Sequence, residues 1–125
     1  MGSRVELLVL GTGAGATACY SGECSSSFVL VLDGHPVLLA DVGFGVVQRC
    51  IAAVGRIPRS IYVSHNHSDH AGELPVLLAV EAAERHGPLH MYSEEGVMCT
   101  LREHRLHELK STGEACNNIY NDMQD

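Results

Sequence analysis

The sequence predicts an α/β protein built on a mixed sheet, and three observations carry that expectation. Two strand-length apolar runs near the start flank a tight turn, which is the pattern of an antiparallel hairpin. Later apolar runs alternate with stretches whose hydrophobic residues recur at helical spacing, which is the pattern of βα units. The strand-like runs are also continuously hydrophobic rather than alternating, so both faces of the sheet should be apolar.

Residues 5–10 (VELLVL) read as a buried strand that ends at Gly11-Thr12-Gly13-Ala14-Gly15. Residues 16–27 contain Gly22 and three consecutive serines and read as a loop. Residues 28–32 and 37–40 flank Asp33-Gly34-His35-Pro36, where Asp-Gly demands a tight turn and pairs the two runs. Asp41-Val42-Gly43 interrupts the pattern. Residues 44–54 then show helical periodicity, with Gly55 as its stop.

Residues 61–64 form the next strand. Residues 74–86 form a helix with Pro75 in its first turn, where a missing N–H costs nothing, and Gly87-Pro88 ends it. Residues 89–92 are a last short strand. Ser93 is placed to cap a helix running through Glu94 and Glu95 to about Lys110, with acids first and base last, as the helix dipole prefers. Residues 1–110 thus form one αβ unit, and 111–125, with three asparagines between 117 and 121, a polar disordered tail. Helices on one face leave the other apolar face of the sheet bare. Pairing with another copy, as a homodimer or larger oligomer, would cover it.

A chain of 125 residues has room for one domain with a real core. Its net charge of −7 leaves no electrostatic footprint for nucleic acid, since Arg102, Arg105 and Lys110 are interleaved with Glu103 and Glu108. The five cysteines, Cys19, Cys24, Cys50, Cys99 and Cys116, are odd in number, form no CxxC pair and follow no secretory signal. They point to a reduced, cytoplasmic protein. The apolar runs are too short to span a bilayer, so no membrane partner is expected.

The chemistry concentrates in the loop from Ser64 to Gly72, which holds three imidazoles and a carboxylate between His65 and His70. One histidine would mark an ordinary polar loop; this density marks a metal site for zinc-like ions. His65 and His67 lie two apart, so an extended chain projects them to the same side. Asp69 and His70 follow once the chain has turned, which suits a second, adjacent position. Two metals sharing a water lower its pKa and present hydroxide at neutral pH.

His65-Asn66-His67-Ser68-Asp69-His70 is the HxHxDH signature and resembles that of the metallo-β-lactamase fold hydrolases. The resemblance covers roughly residues 5–110. The strand and glycine turn at 7–13, Ser25-Ser26-Ser27, Asp41-Val42-Gly43 and the stretch 61–78 look like the ribonuclease Z-like branch of that superfamily. It implies the N-terminal αβ half of an αββα sandwich. It further implies that His65 and His67 hold a first metal and Asp69 and His70 a second, that Asp69 is also catalytic, and that Asp41 orients the ligands by hydrogen bonds. The implied cofactor is Zn2+, two per complete site, with Mn2+ or Fe as substitutes. The implied reaction is attack of metal-bound hydroxide on a phosphodiester or other ester, in a small molecule or a nucleic acid such as a tRNA 3′ end. Family members usually run beyond 200 residues, and their remaining ligands lie in stretches that 111–125 do not supply. The chain therefore reads as an incomplete hydrolase, with a non-catalytic, self-associating half-domain as the alternative.

Other readings compete locally. Gly11 to Ala16 fits G-x-G-x-x-A after a strand, with Asp33 about 20 residues on, as a dinucleotide site has. It lacks the helix that should face the pyrophosphate, so the glycines read better as a tight turn beside the metal loop. Cys19 and Cys24 sit near that loop but have no partner spacing, and read as ordinary free thiols. His104 and His107 are three apart on a helix, a chelating spacing, but that helix should pack away from the metal loop. They read, with His86 and His90, as surface histidines.

Overall fold

The structure is a computed structural model and describes residues 2–113. The tail expected at 111–125 lies, from residue 114 onward, outside the described residues. Five strands form one sheet in sequence order: β1 (Val5–Gly11), β2 (Ser27–Leu32), β3 (His35–Ala40), β4 (Ser60–Tyr62) and β5 (His90–Tyr92). The first three pair antiparallel and the last three parallel, which is the mixed sheet expected. At the hairpin, Asp33 (φ 48°) and Gly34 (φ 81°) are both left-handed, the turn geometry that matches strand twist. Asp33 also exchanges hydrogen bonds with Arg4 at the start of β1.

Three longer helices, α2 (Val46–Val54), α4 (Leu74–Glu84) and α5 (Glu95–Ser111), follow the strands. Two single turns, α1 (Ala18–Ser21) and α3 (Ser68–Ala71), were not anticipated. The stretch read as a loop at 16–27 winds once before Gly22 (φ 73°) stops it. Ser93 does not cap α5. Glu94 takes that position, and the Ser93 hydroxyl instead donates to the Val63 carbonyl at 2.7 Å, holding the exit of β5 to the exit of β4. Helix α4 stops earlier than expected because Arg85 turns left-handed (φ 55°).

The core lies on one face of the sheet. Val29, Leu39, Ile61 and Met91 are neighbours in register across four strands, and all are buried. Val46 and Cys50 of α2, Leu77 and Leu78 of α4, and Met98 and Leu101 of α5 close over them. Each such side chain contributes about 2 kcal/mol of burial. The opposite face is as apolar but open: Val5, Leu7 and Val9 are 63%, 59% and 55% exposed, and Phe28, Leu32, Tyr62 and Tyr92 are exposed beside them. Among the described residues, no helix is long and apolar enough to cross a membrane.

Because Ile61 is fully buried at the centre of this row, Ile61→Ala should cost about 4 kcal/mol. Urea unfolding monitored by circular dichroism would measure it.

Candidate metal centre

The histidine loop leaves the carboxyl end of β4. Val63 continues the chain by donating its N–H to the Tyr92 carbonyl, and the backbone stays extended through His67 (φ −95°, ψ 149°). It then winds into α3, whose His70 and Ala71 N–H groups both return to the His67 carbonyl. An extended pair followed by one helical turn is what brings the rings together. The His65 and His67 ring centroids are 4.6 Å apart and nearly perpendicular, and those of His65 and His70 are 4.2 Å apart.

Asp41, at the carboxyl end of β3, holds this cluster from below. Its backbone is left-handed (φ 65°), which aspartate tolerates better than most residues, and its N–H donates to the Tyr62 carbonyl at 2.7 Å. Its Oδ1 accepts the Ser64 N–H at 2.7 Å. Its Oδ2 accepts the Ser64 hydroxyl at 2.8 Å and His70 Nδ1 at 2.7 Å. An ionised carboxylate only accepts, so the proton of that last bond belongs to His70 Nδ1. Ser64 has a single hydroxyl proton, already given to Asp41, so at 2.9 Å its oxygen accepts from His65 Nδ1. One carboxylate thereby fixes the tautomer of two imidazoles and frees both Nε2 atoms.

The free nitrogen of His70 meets a second carboxylate: Nε2 lies 3.2 Å from Asp69 Oδ2. Two acceptors at that distance repel unless a second proton on His70 or a metal cation stands with them. In donor type these residues fit a zinc-like ion, with imidazole nitrogen and carboxylate oxygen. Among the described residues, however, no group of three or more His, Cys, Asp or Glu is arranged to hold one. The rings of His67 and His70 both lie against that of His65, and Asp69 meets His70.

The glycine-rich turn lies beside this centre, as its reading as a tight turn required. Gly15 donates its N–H to Asp69 Oδ2 at 3.2 Å. Gly13 exchanges backbone hydrogen bonds with Cys24 and Ser26, and a Cβ there would press on the Cys24 carbonyl. The chain then winds into the single turn α1, which is not a helix able to face a pyrophosphate.

Several supporting residues were missed in the sequence. Ser27 shares its hydroxyl proton between the carbonyls of Ala40 and Asp41, and Ser25 receives the Phe44 N–H, so two buried serines brace the strap that carries Asp41. Gly43 lies so close to the Asp69 carbonyl that no side chain fits between them. The Glu73 carboxylate accepts the Gly45 and Val47 N–H groups at the start of α2, at 2.7 and 3.1 Å. The serines were visible as a cluster, but their partners are distant in sequence. Glu73 gave no signal at all.

The remaining candidates sort plainly. Burial pushes the Cys24 thiol up, and that of Cys50 up to about 11, the opposite of activation. His86 Nδ1 pairs with the buried Glu81 at 2.5 Å, which also takes Arg59 at 3.0 Å. Helix α5 comes closer to the metal loop than expected: Leu101, His104 and Arg105 share a cavity of about 240 Å³ with Asn66 and Ser68. His104 is there on the flank of the loop and outside the ring cluster.

Removing the Asp41 carboxylate would strand three donors, of which the half-buried His70 Nδ1 loses most, so Asp41→Ala should cost about 2 kcal/mol. Asp41→Asn, which tolerates the left-handed backbone and keeps an acceptor, should cost about half as much by the same denaturation measurement.

A protein-family model described as the anti-Pycsar protein Apyc1 matches residues 5–124. Among curated proteins, the chain is 34% identical over 101 residues to ribonuclease Z of Bacillus licheniformis, covering 78% of this chain and 33% of that protein. It is 32% identical over 96 residues to ribonuclease Z of Lactobacillus helveticus, covering 74% and 31%. The chain thus spans about a third of the length of the curated relatives it matches. Among solved structures, human tRNase Z, short form, superimposes with a TM-score of 0.65 at 25% identity, over 90% of this chain and 42% of that one. The metallo-beta-lactamase fold protein YhfI of Bacillus subtilis superimposes with a TM-score of 0.59 at 17% identity, over 84% and 41%. A ribonuclease Z-like N-terminal part of a metallo-β-lactamase fold is what these likenesses share, and by its family match over residues 5–124 the chain belongs to the anti-Pycsar protein Apyc1 family.

Proposed function

We propose that this chain supplies the N-terminal half of a metal-dependent hydrolase acting on a phosphodiester or another ester, in a small molecule or a nucleic acid. The observation that carries the reading is the Asp41 network, which engages the Nδ1 atoms of His65 and His70 and leaves their Nε2 atoms to other partners within one cluster of rings, Asp69 Oδ2 facing that of His70. His65 and His67 would hold one ion and Asp69 and His70 another, with Zn2+ preferred and Mn2+ or Fe as substitutes. Such an ion pair, when bound, supplies an activated water and a Lewis acid for the ester oxygen. Asp41 keeps both imidazoles in the ligating tautomer. Asp69, the proposed catalytic carboxylate, is oriented by the Gly15 N–H and is able to take a proton on Oδ2.

Among the described residues, these pairs are not joined by the further ligands of a complete centre. The length of the curated relatives supports a source for them outside these residues. The unit would be residues 1–110, in keeping with α5 ending at Ser111. The cysteines Cys19, Cys24, Cys50 and Cys99, all free, accord with a reduced, cytoplasmic setting. A net charge of −7 favours a small ester over a long nucleic acid, and the ribonuclease name of the relatives favours the reverse.

Metal content decides. Purified protein should take up zinc, approaching about two equivalents in a complete site. Replacing His65 and His67 together by Ala should remove the first ion and abolish turnover of bis(p-nitrophenyl) phosphate. Mass spectrometry of bound metal with that assay checks both, and protein without metal or turnover would end the catalytic reading.

A second reading, a non-catalytic half-domain that self-associates, is favoured by one observation: the exposed apolar face of Val5, Leu7, Val9, Tyr62 and Tyr92. On this reading the 125-residue chain sediments as a homodimer or larger, and Leu7→Asp shifts it toward monomer. A monomer that binds no hydrophobic dye would defeat it.

A further inference from the structure

We infer that Glu73 is a positioning residue of this centre, tying the start of α2 to the metal loop and so keeping His70 on Asp41. Two segments lie side by side here, residues 41–47 and residues 69–73, and they are stitched at successive points. Val42 donates to the His70 carbonyl at 2.7 Å, and Glu73 donates back to the Val42 carbonyl at 2.9 Å. Between those bonds, Gly43 rests directly on the Asp69 carbonyl. The last stitch is the Glu73 side chain, whose two oxygens take the Gly45 and Val47 N–H groups. Those groups need it: Gly45, at the N-cap of α2, is left-handed (φ 78°) and has no side chain to cap the helix. The carboxylate also suits the positive end of the helix dipole.

The consequence reaches the site because both ends of the key hydrogen bond lie on these segments. Asp41 begins one of them, and His70 lies on the other. Near Asp41 the strap is also held by the two Val42 bonds, the Gly43 contact and the bonds of Asp41 itself to Ser64, Tyr62 and Ser27, whereas the Glu73 carboxylate ties its far end, Gly45 and Val47, to the loop. Without that carboxylate the far end can shift, and with it the setting of Asp41 against His70. The imidazole loses its fixed tautomer, and Nε2 ceases to be the free nitrogen.

The test needs no metal. Long-range ¹⁵N–¹H spectra of the imidazoles, taken where histidine is neutral, should show wild-type His70 with its proton on Nδ1. Glu73→Ala should replace that distinct pair of nitrogens by an averaged one. Glu73→Gln, which keeps one acceptor, should fall between. Ile61→Ala, which weakens the fold without touching the strap, should leave the His70 signals as in wild type, separating positioning from general loss of stability. A folded Glu73→Ala with the wild-type signals overturns the inference, and so does Glu73→Gln with wild-type signals if Glu73→Ala does not fold. The inference extends to the proposed metal role: where wild-type protein binds Co2+, Glu73→Ala should weaken it about tenfold. Failure of the wild type to bind Co2+ overturns the metal reading, whereas the tautomer measurement still decides the role of Glu73.

Discussion

The carboxylate of Asp41 is the constraint on which the centre depends, because it converts a flexible polar loop into one with assigned protons. Three hydrogen bonds of 2.7 to 2.8 Å converge on its two oxygens, from one backbone N–H, one hydroxyl and one imidazole. Bonds to an ionised acceptor are roughly twice as strong as neutral ones. Their greater value here is directional. Because the carboxylate cannot donate, each partner's proton is committed, and through Ser64 that commitment extends to His65. The cost is a non-glycine residue at φ 65°. Such strain, about 1 kcal/mol or somewhat more, persists only where surrounding bonds over-determine it. The braces from Ser27 and the Tyr62 carbonyl are those bonds.

The sheet explains why this point can be so firmly held. Asp41 follows β3 and Ser64 follows β4, and those strands are parallel neighbours, so their carboxyl ends emerge together. β5 adds a third parallel end, locked by Ser93 on the Val63 carbonyl. The core row of Val29, Leu39, Ile61 and Met91 fixes the register of these strands, and a slip of one residue would send that row to the open face. Packing on one face of the sheet therefore sets the positions of charged groups at its end.

Much of this was legible in the sequence, and the division has a physical basis. The hairpin was legible because Asp33 and Gly34 carry a local turn preference. The clustering of the histidine loop was legible because its spacing is local, with His65 and His67 on an extended stretch and Asp69 and His70 after a turn. Asp41 was recoverable only through family resemblance, since its partners lie 23 and 29 residues away. Ser25, Ser27 and Glu73 act on backbone groups brought near by the fold, and no periodicity encodes such contacts. Ser93 failed as a cap for a related reason. Its local preference for the helix lost to a hydrogen bond across thirty residues. The flank of α5 was misplaced because a helix following an edge strand can lean toward either end of the sheet, and only packing around Leu74 and Leu101 decides which.

Two features among the described residues have a common geometry. One is chemical: the Nε2 of His70 faces Asp69 Oδ2 at 3.2 Å. The other is a solvation cost: Val5, Leu7 and Val9 stand exposed with Tyr62 and Tyr92 on one sheet face. Tyr62 and Tyr92 end β4 and β5, so the open face runs up to the same sheet end from which the histidine loop departs. Anything that covers the face is thereby carried to the edge of the histidine loop, so the apolar packing of the sheet and the setting of the loop meet at one end of the fold.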